Sequence, residues 1–269
     1  MVKIIVAGAT GRMGSRISAL AFEYPELSLG GVFERSGHRD IGKDIGPLLG
    51  LGEKKVMLSD GLEAVIASGD VVIDFTAPAA TLANISVAAA TGKPMVIGTT
   101  GLEKEQIDQI KAAANKIPVI FAPNYSIGVN VLLKVLGDVA SVFGDDYDIE
   151  VVEAHHRLKK DAPSGTALKM AQVVAAAVNR DLDQVGVYAR KGIIGERTRK
   201  EIGIQTIRGG DIVGEHTVMF CGLGERVEIT HKASSRDTFA RGALRAAQWI
   251  VQQKPGLYDM QDVLGLKQE

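Results

Sequence analysis

The chain is poor in cysteine, in aromatic residues and in net charge. Cys221, the single cysteine among 269 residues, has no internal disulfide partner, which excludes a small disulfide-stapled scaffold and favours a reducing, cytoplasmic location. The formal net charge is −1, without a long block of like charges. The sequence therefore lacks the electrostatic signature of a nucleic-acid partner or of membrane-surface binding.

Long apolar runs are also missing. Arg12 interrupts the apolar stretch after Lys3 too early for a signal peptide, and no uninterrupted apolar run approaches membrane-spanning length. We therefore expect no membrane partner. With 46% hydrophobic and 23% charged residues the composition is that of a globular protein, and the length suits one large or two modest domains.

Short apolar runs alternate with helical patterns in the first half of the chain. Strands are predicted at Val2–Ala7, Val71–Phe75, Met95–Gly98 and Val119–Ala122. Helices are predicted at Arg12–Phe22, from Pro78, at Glu103–Asn115 and at Ile127–Val142. This alternation predicts an α/β fold with a Rossmann-like, doubly wound parallel sheet.

The pattern changes from about Tyr147. Strands are predicted at Tyr147–Ala154, Glu201–Arg208, Ile212–Cys221 and Arg226–Lys232, with a helix at Thr166–Val178. We interpret them as a meander with one helix, which makes a second, α+β domain. The helix Arg236–Gln253 is expected to pack back on the first domain. The predicted domains are thus residues 1–126 with 237–269, and residues 127–236.

Glycine is abundant, with 31 residues, and three glycines follow the first strand in the order Gly8-Ala9-Thr10-Gly11-Arg12-Met13-Gly14. Such a turn lets the backbone approach a pyrophosphate at a helix N-terminus. The spacing differs from the usual G-x-G-x-x-G, so an ordinary glycine-rich turn is the alternative. Glu34 lies 20 residues past Gly14, where an acidic side chain binds ribose hydroxyls. Arg35 is either a contact to a 2′-phosphate or adenine, or an exposed loop residue.

Three further strand ends carry polar residues. They are Asp74-Phe75-Thr76, Gly98-Thr99-Thr100-Gly101 and Ala122-Pro123-Asn124-Tyr125-Ser126. The carboxyl ends of parallel strands meet at one edge of a sheet, where such folds bind ligands. Thr76 and Thr100 have an equal claim to be helix caps.

The densest cluster of titratable residues is the segment from Glu153 to Thr166, which includes His155, His156 and Lys159. No cysteine or third histidine at ligand spacing completes a zinc site, so we expect no metal. A solvated basic loop is one alternative. The other is anion recognition with proton transfer, because histidine titrates near neutral pH and a lysine can donate a proton. A helix opened by Ser164 and Gly165 suits a carboxylate.

Other chemistries lack their residues. Cys221 has no adjacent histidine and is expected to pack in the core. The Tyr-x-x-x-Lys pair of short-chain dehydrogenases is absent from the sequence. The segment from Arg208 to His216 is interpreted as a hairpin turn and a strand, and its relation to the site stays open.

Four segments together resemble the 4-hydroxy-tetrahydrodipicolinate (dihydrodipicolinate) reductase family of the diaminopimelate and lysine pathway. They are GATGRMG at 8–14, GTTG at 98–101, EAHHRLKKDAPSGTA at 153–167 and RGGDIVGEHTVMF at 208–220. The resemblance spans essentially the whole chain, and the histidine-rich segment is its most specific part.

The resemblance implies roles for individual residues. Coenzyme contacts are implied for Gly8, Ala9, Thr10, Gly11, Arg12, Met13, Glu34, Arg35, Gly98, Thr99, Thr100, Ala122, Pro123, Asn124 and Tyr125. His155 matches the acid/base residue and Lys159 the proton donor, although which of them donates directly stays open. His156, Gly165 and Thr166 match contacts to the substrate carboxylates. Many relatives carry Arg after Asp-Phe-Thr, where this chain has Ala77.

The resemblance also implies hydride transfer from NAD(P)H to a cyclic, imine-like dicarboxylate with loss of water, in a homotetramer assembled through the second domain. We expect both NADH and NADPH to serve, with a preference for NADH. Two alternatives are a different dehydrogenase and a non-catalytic nucleotide-binding regulator. The first requires a cysteine nucleophile or another acid/base set, which we do not find, and the second does not require His155 with Lys159.

Overall fold

The computed structural model describes residues 1–267. The chain forms two compact units: Met1–Ile127 with the chain from Arg236 onward, and Gly128–Ser235. These boundaries lie one residue from the predicted ones.

Strands and helices alternate along most of the chain. The strands are β1 (Val2–Ala7), β2 (Leu27–Glu34), β3 (Leu58–Asp60), β4 (Val71–Asp74), β5 (Met95–Ile97), β6 (Pro118–Phe121), β7 (Asp148–His155), β8 (Gly186–Val187), β9 (Ile202–Arg208), β10 (Gly214–Cys221), β11 (Arg226–Ala233) and β12 (Gly256–Tyr258). The helices are α1 (Arg12–Ala21), α2 (Ile45–Leu48), α3 (Pro78–Thr91), α4 (Lys104–Ala114), α5 (Ile127–Phe143), α6 (Gly165–Ala177), α7 (Leu182–Val185), α8 (Asp237–Ile250) and α9 (Met260–Val263).

The first unit is a seven-stranded parallel sheet in the order β12-β6-β5-β4-β1-β2-β3. Helices α1, α8 and α9 pack in the core on one face, and α3 and α4 pack on the other. The doubly wound prediction is confirmed. Since β1 lies between β2 and β4, the strand order reverses beside β1, and ligands of such sheets bind at the carboxyl ends there.

The apolar strand runs are buried on both faces, as a parallel sheet covered by two helix layers requires. All four residues of β4 are buried, including its last residue, Asp74. The sequence did not predict β3 and β12, because three residues are too short to show a pattern.

Helix α8 returns to the first unit, as expected. Leu244, Ala247 and Ile250 are fully buried in its core. A Cβ at Gly242 would lie 1.7 Å from the backbone oxygen of Tyr125, so only glycine allows this close approach.

The second unit contains a mixed sheet in the order β11-β10-β7-β9-β8, and α5 and α6 contribute to its core. The predicted meander is wrong in one respect, because β7 lies between β9 and β10, parallel to β9 and antiparallel to β10. The connection between β9 and β10 crosses the end of β7. It is held there because Gly209 N–H donates to the His155 carbonyl at 2.9 Å and His156 N–H donates to the Ile212 carbonyl at 2.7 Å.

Strand β10 alternates between the core and the opposite face of the sheet. Val218 and Phe220 are fully buried, whereas Cys221, the last residue of the strand, is half-buried. The prediction that Cys221 packs in the core is therefore wrong, because the period of two turns its side chain away. On the same face, Thr217 Oγ1 and Thr230 Oγ1 are 3.0 Å apart.

Among residues 1–267, one helical segment, Ile127–Asp146, is long and apolar enough to cross a membrane by length and composition, with a mean hydropathy of 1.6. One such helix is weak evidence, since core helices share these properties. Leu132 and Leu136 pack in the core of the second unit. The apolar run is interrupted by Lys134 and Asp138, which form an ion pair at 2.7 Å.

Candidate active site

The glycine turn between β1 and α1 has a backbone that other residues would obstruct. Gly8 has φ +59°, and a Cβ at Gly14 would lie 2.1 Å from the Gly8 carbonyl oxygen. Gly11 is the N-cap of α1, which therefore has no side-chain cap. This leaves the first-turn N–H groups of α1 without a capping side chain, an arrangement that binds phosphate groups.

Glu34 ends β2 beside this turn. Its Oε1 accepts hydrogen bonds from Thr10 N–H at 3.0 Å and from Thr10 Oγ1 at 2.7 Å. These contacts hold the carboxylate at the turn, so it is not a freely solvated loop residue. Arg35 is exposed, and His38 Nε2 lies 3.5 Å from Thr10 Oγ1, a proximity that the sequence did not predict.

The ends of β4, β5 and β6 meet at the same edge of the sheet. The rings of Phe75 and Tyr125 are 4.9 Å apart, and a Cβ at Gly98 would lie 2.0 Å from the Phe75 ring. The Tyr125 hydroxyl donates to the Ile97 carbonyl at 2.8 Å. The ends of β4, β5 and β6 thus pack against one another through the side chains of Phe75 and Tyr125.

Neither threonine is a helix cap. The N-cap of α3 is Ala77 and that of α4 is Glu103. Thr76 Oγ1 instead donates to Asp74 Oδ1 at 2.6 Å. Thr100 is exposed.

The other residues predicted to bind the coenzyme divide by burial. The buried ones are Ala9, Thr99 and Ala122, whereas Arg12, Met13, Pro123 and Asn124 are half-buried or exposed. The exposed members are therefore the ones whose side chains can meet a ligand.

The second unit contains a buried carboxylate, Glu153 of β7, which is 0% exposed. Arg208 donates two hydrogen bonds to its two oxygens, at 2.7 and 2.9 Å. His155 Nδ1 lies 2.6 Å from Oε2, and Ser164 N–H donates to Oε1 at 2.9 Å. Burial alone would raise the pKa of Glu153, but the bonds from Arg208 and His155 outweigh it and hold the pKa at about 2.

His155 is held by this carboxylate. Because ionised Glu153 only accepts hydrogen bonds, we assign the proton of His155 to Nδ1, which leaves the Nε2 lone pair for another partner. Burial lowers the pKa of His155, although Glu153 opposes the shift. A Cβ at Gly214 would lie 3.1 Å from Nε2 of His155, so glycine at position 214 leaves space next to this nitrogen.

Lys159 and His156 belong to the loop that follows β7. Lys159 Nζ lies 2.8 Å from Asp161 Oδ2, and the lysine side chain is 20% exposed. Lys159 N–H donates to the His156 carbonyl at 3.1 Å, which folds the loop back on itself. This turn places a cation near the end of β7.

Helix α6 begins at Gly165 after the N-cap Ser164, whose Oγ accepts from Ala167 N–H at 3.2 Å. The Ser164 Oγ also lies 3.0 Å from His216 Nε2. The pKa of His216 is lowered to about 4, mainly by burial and to a smaller extent by the nearby His155. Gly165 has open space where a Cβ would stand, so this helix end is accessible.

Comparison with known proteins identifies the family. A model described as "Dihydrodipicolinate reductase, N-terminus" matches residues 2–125, and one described as "Dihydrodipicolinate reductase, C-terminus" matches residues 128–264. The chain belongs to the dihydrodipicolinate reductase family. The resemblance inferred from the sequence is thereby confirmed.

Curated members of the family match the chain over its length. The 4-hydroxy-tetrahydrodipicolinate reductase of Syntrophus aciditrophicus (strain SB) is 56% identical over 267 residues, 99% of this chain and 100% of the relative. That of Syntrophobacter fumaroxidans (strain DSM 10017 / MPOB) is 57% identical with the same coverage. A dipicolinate-bound dihydrodipicolinate reductase from Paenisporosarcina sp. TG-14 is 26% identical, covers 96% of this chain and 97% of its own, and has a TM-score of 0.75.

Glu153, His155, Ser164, Arg208 and His216 form one buried cluster in the second unit. Three of its members were not among the predicted site residues: Glu153, Arg208 and His216. One signal was available for Glu153, because it shares the inward face of β7 with Ile149 and Val151. A charged residue at an inward position requires a buried partner. Arg208 and His216 join the cluster because β9 and β10 pair with β7 on either side, which places Arg208 beside His155 and His216 beside Glu153.

No group of three or more His, Cys, Asp or Glu side chains that could hold a metal ion occurs among residues 1–267. The two adjacent histidines, His155 and His156, have different surroundings. The first is bound to Glu153.

Proposed function

We propose that the protein reduces 4-hydroxy-tetrahydrodipicolinate to tetrahydrodipicolinate with loss of water, in diaminopimelate and lysine biosynthesis. It is an NAD(P)H-dependent oxidoreductase. The observation that carries this proposal is the full-length match to curated reductases at 56–57% identity. The buried Glu153–His155 pair beside Lys159 supplies the groups that the chemistry needs.

The first unit binds the nicotinamide coenzyme, which supplies the hydride. The segment from Gly8 to Met13 binds the pyrophosphate at the start of α1, and Glu34 accepts hydrogen bonds from ribose hydroxyls. The strand ends at Gly98–Thr100 and Ala122–Tyr125 hold the nicotinamide half. The uncapped first turn of α1 and the position of Glu34 beside it support this assignment.

The second unit binds the dicarboxylate. The N–H groups of Gly165 and Thr166 at the accessible start of α6 bind one carboxylate, helped by the helix dipole. His156 and Lys159 complete the contacts with anionic groups. The dipicolinate-bound relative supports a dicarboxylate as the ligand class.

The reaction takes up one proton together with the hydride, and Lys159 donates that proton. Loss of water needs a base and an acid but no net proton, so His155 takes a proton from the substrate carbon and returns it to the leaving hydroxyl. Because the pKa of His155 is lowered and its Nδ1 proton faces Glu153, the neutral ring offers Nε2 as the base. Lys159 carries an ammonium group, which is the complementary acid.

Both coenzymes serve, with a preference for NADH. A carboxylate at Glu34 suits a free 2′-hydroxyl and repels a 2′-phosphate. Arg35 opposes that repulsion, but it is exposed and therefore screened. Position 77, where many relatives carry a cation, is an exposed alanine.

The protein is a cytoplasmic homotetramer, assembled through the second unit. The strand face that carries Cys221 and Thr217 is only half-buried within the unit, and Ile207 of β9 is 50% exposed. Apolar surface of this kind favours self-association. Light scattering at micromolar concentration tests the assembly, and a monomer there would refute it.

The reaction is tested by absorbance of the reduced coenzyme. Substrate is generated freshly from pyruvate and aspartate semialdehyde by the preceding synthase, then pure protein is added with NADH or NADPH. We expect oxidation with both coenzymes. No oxidation with either one would overturn the proposed function.

A further inference from the structure

Asp74 is a buried carboxylate without a counterion. It is the last residue of β4 and 0% exposed, and no ion pair among residues 1–267 includes it. Its Oδ1 accepts from Thr76 N–H at 2.9 Å, from Thr76 Oγ1 at 2.6 Å and from Thr99 Oγ1 at 3.4 Å. Its Oδ2 accepts from Asn84 Nδ2 at 2.8 Å.

These four contacts come from neutral donors. The Thr76 N–H and the Asn84 Nδ2 group can only donate, and they contact Oδ1 and Oδ2 respectively, so both carboxyl oxygens of Asp74 act as acceptors, which matches the ionised form. Hydrogen bonds stabilise that charge without cancelling it. Burying a charge without a counterion costs folding free energy. We therefore expect Asp74 to have a role, either through its charge or through its hydrogen bonds.

The place of Asp74 in the sheet indicates which part of the proposed coenzyme lies nearest to it. Strand β4 is the neighbour of β1 at the point where the strand order reverses. With the pyrophosphate at the start of α1 and the adenosine ribose at Glu34 on the β2 side, the nicotinamide half extends over the ends of β4 and β5. The Asp74 carbonyl also accepts from Gly98 N–H at 2.8 Å, which joins these two strand ends.

We propose that the Asp74 carboxylate favours the oxidised coenzyme over the reduced one. The inference rests on the proposed function, since it requires a nicotinamide coenzyme in the first unit. Loss of a hydride removes two electrons and one proton from the neutral ring and leaves it with a charge of +1. The hydride goes to the substrate carbon and the balancing proton comes from Lys159. A fixed negative charge in a dry site stabilises the positive charge as it develops.

A purely structural role makes a different prediction. The bonds of Asp74 to Thr76, Asn84 and Thr99 also connect β4, α3 and β5. If Asp74 only holds these elements together, its loss weakens binding of both coenzyme forms equally. The ratio of the two dissociation constants therefore separates charge from scaffolding.

The test variant is Asp74→Asn in the full-length protein. Asparagine has nearly the same size and still accepts from both Thr76 donors, while the Asn84 amide can rotate to present its oxygen to the new amide group. Isothermal titration calorimetry with NAD⁺ and with NADH gives the ratio Kd(NAD⁺)/Kd(NADH). We expect this ratio to rise by roughly tenfold relative to the parent.

Two controls sharpen the result. Asp44 also accepts only from neutral donors, the N–H groups of Gly46, Lys54 and Lys55 at 2.9, 2.8 and 2.8 Å. It forms an isolated β-bridge with Met57 and does not belong to β4. Asp44→Asn should leave the ratio unchanged. The exchange variant Asp74→Asn/Asn84→Asp returns a carboxylate to the same pocket and should restore most of the parent ratio.

A ratio within twofold of the parent in Asp74→Asn overturns the inference. Should that variant fail to fold, Asp74→Ser removes the same charge with a smaller side chain and is judged by the same ratio. A parent protein that binds neither coenzyme form would overturn the proposed function and this inference with it. An unchanged ratio in a variant that binds both forms overturns this inference alone.

Discussion

Two regions hold buried or half-buried charge in different ways. The first is the coenzyme edge, the end of the first unit's sheet at Glu34 and Asp74 where we propose that the coenzyme binds, and the second is the buried cluster around Glu153 in the second unit. At the coenzyme edge, backbone N–H groups and neutral side chains surround Glu34 and Asp74. In the second unit, Glu153 is bound by a guanidinium group and an imidazole. The first arrangement keeps negative charge in place, whereas the second neutralises it.

The difference fits the roles that we propose for the two regions, coenzyme binding for the first and proton transfer for the second. An unneutralised carboxylate acts on a ligand through its field, but it does not change protonation. Glu153, in contrast, fixes the proton of His155 on Nδ1, so its effect is on proton transfer. Substitutions in the two regions should therefore change different measured quantities.

The largest expected effect is loss of turnover on removal of the acid or the base. Lys159→Ala and His155→Gln should each lower kcat by roughly 10²–10⁴-fold, as expected for a lost acid/base group. Coenzyme affinity should barely change, because the proposed coenzyme site belongs to the other unit. Steady-state kinetics and calorimetry on folded variants measure both quantities, and near-full turnover in either variant would remove that residue from the mechanism.

Acid stability should depend on Glu153. Its pKa is lowered from 4.5 to about 2 in the folded state, so the stability it contributes is present above pH 4.5 and lost as the pH falls through about 2. A shift of this size corresponds to about 3 kcal/mol. Urea unfolding between pH 5 and pH 2 should show this loss in the parent and a flatter curve in Glu153→Gln. Equal slopes would contradict the assignment.

His216 should act in a neighbouring pH window. Its pKa is lowered from 6.5 to about 4, so the unfolded chain takes up a proton first, and folding free energy is lost as the pH falls from 6.5 to 4. Part of this shift belongs to the nearby His155, so we expect no more than about 2 kcal/mol from His216 alone. Unfolding of His216→Gln should depend less on pH within this window, while its dependence below pH 4 stays like that of the parent.

The smallest expected effect concerns coenzyme choice. Ala77→Arg should raise kcat/KM for NADPH by about fivefold, since an exposed ion pair is worth about 1 kcal/mol. Arg35→Ala should lower kcat/KM for NADPH by a similar factor. Values for NADH should stay nearly constant in both variants. Absolute dependence of the parent protein on NADPH would mean that another phosphate-binding group exists.

The coenzyme edge was largely predictable because its signals are local. The apolar run of β1, the glycine turn and the acidic residue at Glu34 follow one another within 34 residues. Burial on both faces and the conformational needs of glycine leave few alternatives for such a pattern. Only the contact of Thr10 with Glu34 and the nearness of His38 required the structure.

The buried cluster was less predictable because it depends on strand pairing. Glu153 and Arg208 are 55 positions apart, and Ser164 and His216 are 52 positions apart. Their meeting requires β7 to lie between β9 and β10, whereas consecutive strands usually pair. The histidine-rich segment marked the place, but its partners came from a topology that local patterns do not encode.

The return of α8 to the first unit has a consequence for synthesis of the chain. A ribosome releases the whole second unit, Gly128–Ser235, before it releases α8. Until then, the core positions filled by Leu244, Ala247 and Ile250 are empty, and apolar residues of the sheet such as Ile4 and Val71 stay uncovered on that face. A helix made later therefore completes the core of a sheet made earlier, and chaperones have time to bind the uncovered face of that sheet.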